Sequence, residues 1–288
     1  MRPNMRKRGF TIVEILTVLG IIVLLTSILV PALSAAKRFA KVVSQKGQFH
    51  ELAKGLEAFS HDFDGYPESA DDSLTDGSIS PYCGAMKLCE GMVGKDNLGF
   101  HQDSRFLCDH TAIPIPFYFD TEIIPPYTAE QQENLQSRAP LYLEKNFRTY
   151  SIDQLWVNGV EPFVSTFGTV QRCQVLSDVF YNFKISTGQK VGMPVLYYKA
   201  NPNGTTNDPL LPETNYYNYA DNINLVALKT LGGVTHPFDI DNQKFYDAIR
   251  NTDVEMLNVP HNKDTYILMS AGRDGLYGTE DDINNFGR

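Results

Sequence analysis

Two places in the chain set carboxylates where they imply chemistry. The first is Glu14, the single charge in the stretch 10–33, FTIVEILTVLGIIVLLTSILVPAL. A carboxylate inside hydrocarbon costs about 2.5–3.5 kcal/mol on insertion scales, so its presence calls for a job and a partner. Nothing within the run can pair with it, so the partner is expected on another chain. The second is the stretch 270–283, where Asp274, Glu280, Asp281 and Asp282 crowd into nine positions. Such acids repel one another unless a cation stands between them. Calcium takes roughly six to eight oxygens at about 2.3–2.6 Å from carboxylates, hydroxyls and carbonyls. This loop supplies all three kinds, and Gly272, Gly275 and Gly278 let its backbone fold back. It is not an EF-hand, because the Asp/Asn spacing and the closing Glu are absent. The bland alternative is a solvated acidic turn.

The element that carries Glu14 reads as a membrane helix. The run of 24 residues would be about 36 Å long at about 1.5 Å per residue, against roughly 30 Å of hydrocarbon. Before it, residues 1–9 hold Arg2, Arg6, Lys7 and Arg8 and no acid, which favours keeping them in the cytoplasm. Lys37, Arg38, Lys41 and Lys46 on the far side blur that rule. A cleaved secretory signal, with its site near Ser34-Ala35-Ala36, and a plain single-pass anchor are the simpler readings. Neither gives Glu14 a purpose.

The run Lys7-Arg8-Gly9-Phe10-Thr11-Ile12-Val13-Glu14 resembles the class III signal of type IV pilins and type II secretion pseudopilins. The resemblance implies cutting by prepilin peptidase between Gly9 and Phe10, N-methylation of Phe10, and assembly through Glu14. A Glu14 carboxylate would pair with the Phe10 amine of the next subunit, replacing two costly isolated charges and setting axial register. Pro31 falls where many pilins have a helix-bending proline. Losing residues 1–9 takes the net charge from −9 to −9 − 4 = −13, before the new amine is counted. The acidic loop is similar to the C-terminal calcium loop of the major pseudopilin. Carried over residue by residue, the ligands would be the Ala271 carbonyl, Asp274, the Leu276 carbonyl, Thr279, Asp281 and Asp282. Thr279 stands where that family often has Ser, and Glu280 is expected to face solvent.

Beyond Pro31 the apolar residues Phe39, Val42, Phe49, Leu52, Leu56 and Phe59 recur at spacings that mostly suit one helical face, a core-packing stripe. Gly47 and Gly55 are its expected weak points. One helix is predicted from Phe10 to about Phe63, with Gly65 as C-cap and Pro67 barring continuation. Residues 66–116 read as mainly loop. Thr128 to Gln131 forms a capping-box pattern opening a helix to about Arg138. Leu155 to Val160 reads as a hairpin with an Asn158-Gly159 turn. Strands are predicted at 195–199 and, as the last one, at 265–269, with a helix over 241–251 facing inward through Phe245, Ala248 and Ile249. Mixed elements without a βαβ rhythm indicate an α+β head with an antiparallel sheet.

Cys83, Cys89, Cys108 and Cys173 all follow the apolar run. An extracytoplasmic head permits disulfides, with three possible pairings. Cys83–Cys89 with Cys108–Cys173 is the pairing expected, and Cys89–Cys108 is the rival. A metal set of Cys83, Cys89, Cys108 and His110 lacks CxxC spacing. No G-x-S-x-G, HExxH, P-loop or dinucleotide fingerprint occurs, and six histidines are scattered without ligand spacing. Asn203-Gly204-Thr205 matches a glycosylation acceptor but reads as a turn. An excess of 34 acids over 25 bases argues against nucleic acid as the main partner.

The expected organisation is a leader, 1–9, a membrane and filament-core helix, 10–33, an amphipathic continuation, 34–64, and a head, 65–288. The expected function is that of a non-enzymatic subunit of a type II secretion pseudopilus or type IV pilus-like filament. Its partners would be other pilin-type subunits, prepilin peptidase and an inner-membrane assembly platform, and its head would lie in the periplasm or outside. The rivals are an anchored or secreted enzyme or binding protein with a pilin-type leader, and an adhesive or DNA-uptake pilin. The resemblance covers 5–67 and 265–286, so the middle amounts to a large insertion.

Overall fold

The computed structural model describes residues 11–70, 81–104, 106, 125–143, 147–156, 174–181, 183–185, 188–254 and 258–287. It divides into two compact units, Met1–Val43 and Ser44–Arg288. One helix, α1 (Ile12–Phe63), runs through both and continues across Pro31. Residues 11–40 are exposed on every side. By length and composition the helix can cross a membrane, and its most apolar window has a mean hydropathy of 2.7.

In the second unit, α1 buries Gln45, Phe49, Leu52, Gly55, Leu56 and Phe59. Apart from the adjacent pair Gly55 and Leu56, they follow one another at three or four residues, the spacing of one helical face. Phe39, expected on the same stripe, is exposed. Gly55 is a contact point rather than a weak one: a Cβ there would stand 3.0 Å from Met92 Sδ and 3.0 Å from the Tyr142 carbonyl. The Gln45 carboxamide accepts from Val179 N at 3.0 Å, and Gln48 Nε2 donates to the Ser177 carbonyl at 3.0 Å. The helix stops at Asp64, whose φ of 53° takes the left-handed position expected of Gly65. Gly65 N then donates to the Ser60 carbonyl at 3.2 Å, the six-to-one closure of a Schellman end.

Residues 84–93, expected as loop, form α2 (Gly84–Val93), buried along its entire length. Its Lys87 and Glu90 lie three residues apart on one face, so a helical period is present, but the helix is ten residues long and carries Gly84 and Gly91, which hides it among loop-forming residues. Gly84 lies close under the Tyr197 carbonyl, where a Cβ would collide. Its two charges are met locally: Lys87 Nζ donates to the Ala70 carbonyl, and Glu90 accepts from the hydroxyls of Tyr82 and Ser104. Next come α3 (Ala129–Gln136), opened by the full Thr128–Gln131 capping box, and β1 (Thr149–Ser151). Leu155, expected in a hairpin strand, ends α4 (Ile152–Leu155), and the Asn158-Gly159 turn lies outside the described residues.

The strands that follow are β2 (Gln174–Leu176), β3 (Phe183–Lys184), β4 (Lys190–Val191) and β5 (Leu196–Lys199). Short helices α5 (Ile223–Ala227), α6 (Pro237–Ile240) and α7 (Gln243–Ile249) precede β6 (Tyr266–Ser270). Strand β6 is not the last, because β7 (Ile283–Asn284) returns beside it. All pairings are antiparallel, in sheets β1-β2, β3-β4 and β5-β6-β7. This is an α+β arrangement with a long apolar N-terminal helix. The core gathers Tyr198, Phe238, Phe245, Ile249, Ile267 and Tyr277 around α2 and the three-stranded sheet.

Cys83 and Cys89, expected as a pair, are not joined. Six residues of helix separate them by about 9 Å of rise, beyond the roughly 7 Å that a disulfide can bridge between Cα atoms. Burial pushes the Cys89 thiol far up, so it stays protonated. Cys108, Cys173 and His110 lie outside the described residues.

Candidate functional site: the acidic loop and the Glu14 turn

Strands β6 and β7 close a hairpin around residues 271–282, with Ser270 opposite Ile283 and Met269 opposite Asn284. The expected ligand residues are therefore brought together by a β-turnaround. Gly272 has φ +64°, and a side chain there would collide with the Asp281 backbone, so only glycine lets the two limbs of the loop meet. Gly278, at φ +97°, lets the chain pass against the Phe238 ring in the same way.

Each aspartate is partly engaged by the loop itself. Asp281 Oδ2 accepts from the amides of Arg273 at 2.7 Å and Asp274 at 3.1 Å, and its Oδ1 accepts from the Thr279 hydroxyl at 2.7 Å. Asp274 Oδ1 accepts from Leu276 N at 2.8 Å. Asp282 Oδ2 accepts from Gly278 N at 2.7 Å. Asp282 Oδ1 is buried with no hydrogen-bond partner. The Thr279 hydroxyl stands 3.3 Å from the Leu276 carbonyl, which places those two expected ligands side by side. Ala271 is fully buried, and Glu280 is exposed as expected.

The electrostatics are those of like charges crowded in a partly buried loop. Burial pushes the Asp282 carboxyl up to about 8, the charges of Asp281 and Asp274 push the same way, and the Gly278 amide opposes them only in part. Asp274 is also raised, first by burial and then by the charge of Asp281. Burial acts on Asp281 as well, but the Thr279 hydroxyl and the amides of Asp274 and Arg273 outweigh it and hold that carboxyl low. Among the described residues, no group of three or more His, Cys, Asp or Glu side chains is set to hold a metal ion on its own. The loop's oxygens are of mixed kind, and one carboxylate oxygen of each aspartate accepts from loop amides. A hard cation fits this donor set chemically: it would satisfy the orphaned Asp282 oxygen and relieve the mutual repulsion.

Two supports of this loop come from distant sequence and left no local signal. Tyr277, 1% exposed, plugs it into the core, donating its hydroxyl to the Pro194 carbonyl and its amide to His236 Nδ1 at 3.1 Å. Burial holds the His236 imidazole down to about 4, so it stays neutral and able to accept. Asp178, fully buried, accepts from the Ser270 hydroxyl at 2.9 Å, fixing the point where β6 enters the loop.

At the other end of the chain, Glu14 does have a partner within the run. Its Oε2 accepts from Thr11 N at 2.9 Å and from the Thr11 hydroxyl at 2.8 Å, while Glu14 N donates to Thr11 Oγ1 at 3.2 Å. This reciprocal capping box satisfies the helix start. It corrects the expectation that nothing nearby could pair with the acid, although neither Thr11 donor carries a charge. The processing positions Gly9 and Phe10 lie outside the described residues.

A Ser–His–acid set that sequence reasoning missed lies elsewhere: Ser137 Oγ is 3.1 Å from His101 Nε2, and His101 Nδ1 is 3.9 Å from Asp103 Oδ2. Its wiring runs the wrong way for nucleophilic catalysis. His101 Nδ1 accepts from Asp103 N at 3.2 Å, which leaves the proton on Nε2, and Ser137 donates to the Asn134 carbonyl at 2.8 Å. The imidazole is therefore not placed to take the serine proton. Compared with protein-family models, curated proteins and solved structures, the chain finds no match.

Proposed function

We propose that this protein is a structural subunit of a type II secretion pseudopilus or a type IV pilus-like filament. The observation that supports it most is the first part of α1: residues 11–40 are exposed on every side, apolar almost throughout, and carry Glu14 as their one acid near the start. Such a surface must be covered by lipid or by like helices. In the proposed cycle, prepilin peptidase cuts between Gly9 and Phe10 in the inner membrane and Phe10 is N-methylated. An assembly platform then stacks subunits, the head lying in the periplasm or beyond. Glu14 exchanges its Thr11 hydrogen bonds for the charged amine of the next subunit. A bound calcium would be held by Asp274, Thr279, Asp281, Asp282 and the Ala271 and Leu276 carbonyls. What it supplies is charge neutralisation of the loop, pinning the tail to β6.

N-terminal sequencing of the mature protein tests the processing. Methylated Phe10 supports the reading, whereas a start at Lys37 points to ordinary secretion. Glu14→Ala tests assembly: the variant should insert and fail to form filaments. An unaltered filament yield, or activity of a membrane-anchored monomer indifferent to the substitution, favours the rival of an enzyme or binding protein with a pilin-type leader. Melting with calcium and then with excess chelator tests the loop, and an unchanged melting temperature rejects calcium alone.

A further inference from the structure

Assembly through Glu14 leaves the basic residues just beyond the apolar run without a task. Lys37 and Arg38 are exposed, and Lys41 is half-buried. The chain holds no acid between Glu14 and Glu51, so this stretch of α1 has no carboxylate among its sequence neighbours. Lys37 and Lys41 lie four residues apart, which makes them neighbours on the helix surface, and like charges at that spacing repel. Phe39 stands among them and is 71% exposed. Cations set around an exposed aromatic ring fit an anionic surface with an apolar layer behind it.

Their depth names that surface. All four residues share one continuous helix with the apolar run, which ends at Leu33. At about 1.5 Å per residue, Lys37 to Lys41 stand about 6–12 Å past Leu33. The polar layer on each side of a bilayer's hydrocarbon is about 5–8 Å deep. Helix side chains lean toward the N-terminus and cover the turn before their own Cα, which on this flank is back toward the hydrocarbon. A lean of one turn brings the end of Lys41 from about 12 Å to about 7 Å, the level of the lipid phosphates. Phe39 leans the same way, onto the acyl boundary. A neighbouring subunit also offers carboxylates, but nothing fixes them at this depth, whereas every phospholipid carries its phosphate there. We propose that Lys37, Arg38 and Lys41 form a collar that binds anionic phospholipid headgroups in the leaflet nearer the head, before the subunit leaves for the filament. The inference rests on the filament reading and describes its membrane-inserted stage.

The test uses the full-length chain in nanodiscs of phosphatidylcholine with a minority of phosphatidylglycerol. Lipids still bound after mild detergent stripping are counted by mass spectrometry. Phosphatidylglycerol should be retained above its share of the bilayer. Lys37→Gln combined with Arg38→Gln and Lys41→Gln should cut that excess by about threefold or more, given roughly fivefold in binding for each cation near an anionic surface. Lys46→Gln, in the folded unit, should leave the excess unchanged, and the basic residues of 1–9, common to all variants, cancel in the comparison. Raising the salt concentration should erase the difference. The melting temperature of the head should not change, which separates the loss from unfolding. Equal retention by the triple variant and the unaltered chain overturns the collar and leaves the filament reading standing. If that variant keeps its lipids and loses its filaments, the cations belong to a contact between subunits, and the collar is likewise overturned. If protease digests the run 10–33 of the unaltered chain in the nanodisc, the helix does not span, and the filament reading falls with the collar.

Discussion

The two parts of α1 share one helical backbone, with a missing donor at Pro31, yet they solve opposite problems. From Ile12 to Ala40 every residue is exposed, and large aliphatics face all directions. From Ser44 to Phe63, Phe49, Leu52, Leu56 and Phe59 line one face and are 0–3% exposed, while lysines and glutamates take the other. The first part is apolar enough to be buried, yet every one of its residues is exposed. The second is less apolar and is covered by its own head. What separates them is the arrangement of apolar residues around the helix, and that arrangement decides whether the covering surface comes from inside or outside the molecule.

The contrast is sharpest under the same substitution in each part. Leu52→Ala should destabilise the protein by about 2–5 kcal/mol, the range for opening a cavity at a fully buried leucine. Leu24→Ala in detergent should leave the melting temperature of the head unchanged. Equal losses from both would break the comparison. A smaller version lies within the second part alone. Gly55→Ala should destabilise by about 1–3 kcal/mol through crowding against Met92 and the Tyr142 carbonyl. Gly47→Ala, with no atom within 4 Å of its added methyl, should stabilise by up to about 1 kcal/mol through helix propensity. Guanidinium titrations of the two variants read both signs.

The acids extend the comparison. In the first part Glu14 accepts from Thr11, whereas in the folded unit Asp282 is half-buried among like charges. Its folded pKa, about 8, lies above the unfolded value near 4, so the folded state holds the extra proton between those limits. In chelator, stability should therefore fall as pH rises from about 4 to 8, and Asp282→Asn should flatten that slope. Saturating calcium should flatten it as well, by taking the proton's place. The smallest effect is expected at His236, whose folded pKa of about 4 lies below the usual 6.5. Its contribution is complete above about pH 6.5 and is lost as pH falls toward 4. His236→Asn, which keeps an acceptor for the Tyr277 amide, should remove that acid sensitivity.

What was legible in the sequence was whatever carries its own local code. The long helix announces itself by composition, the α3 start by its Thr128–Gln131 box, β5 and β6 by their β-branched and aromatic residues, and the acidic loop by glycines among aspartates. What was not legible depends on distant partners. Helix α2 is ten residues long, carries two glycines and packs against β2 and β5 from much later in the chain, and β7 is two residues long and pairs with β6. The braces of the loop, His236 and Asp178, stand 41 and 92 residues from the groups they hold. The capping role of Glu14 depends on Thr11 three residues earlier, a spacing that the charge within an apolar run does not itself reveal.

Helix α2 has a consequence for the order in which the chain matures. Its surroundings include β2, β5 and the Asn222 carboxamide that accepts from Ala85 N at 2.9 Å, all supplied by chain that emerges some ninety to one hundred and forty residues later. While the chain is being made, then, a short greasy rod waits uncovered until nearly half the polypeptide has followed it. Packing of this helix has to wait for β2, β5 and Asn222, however early its own residues are made.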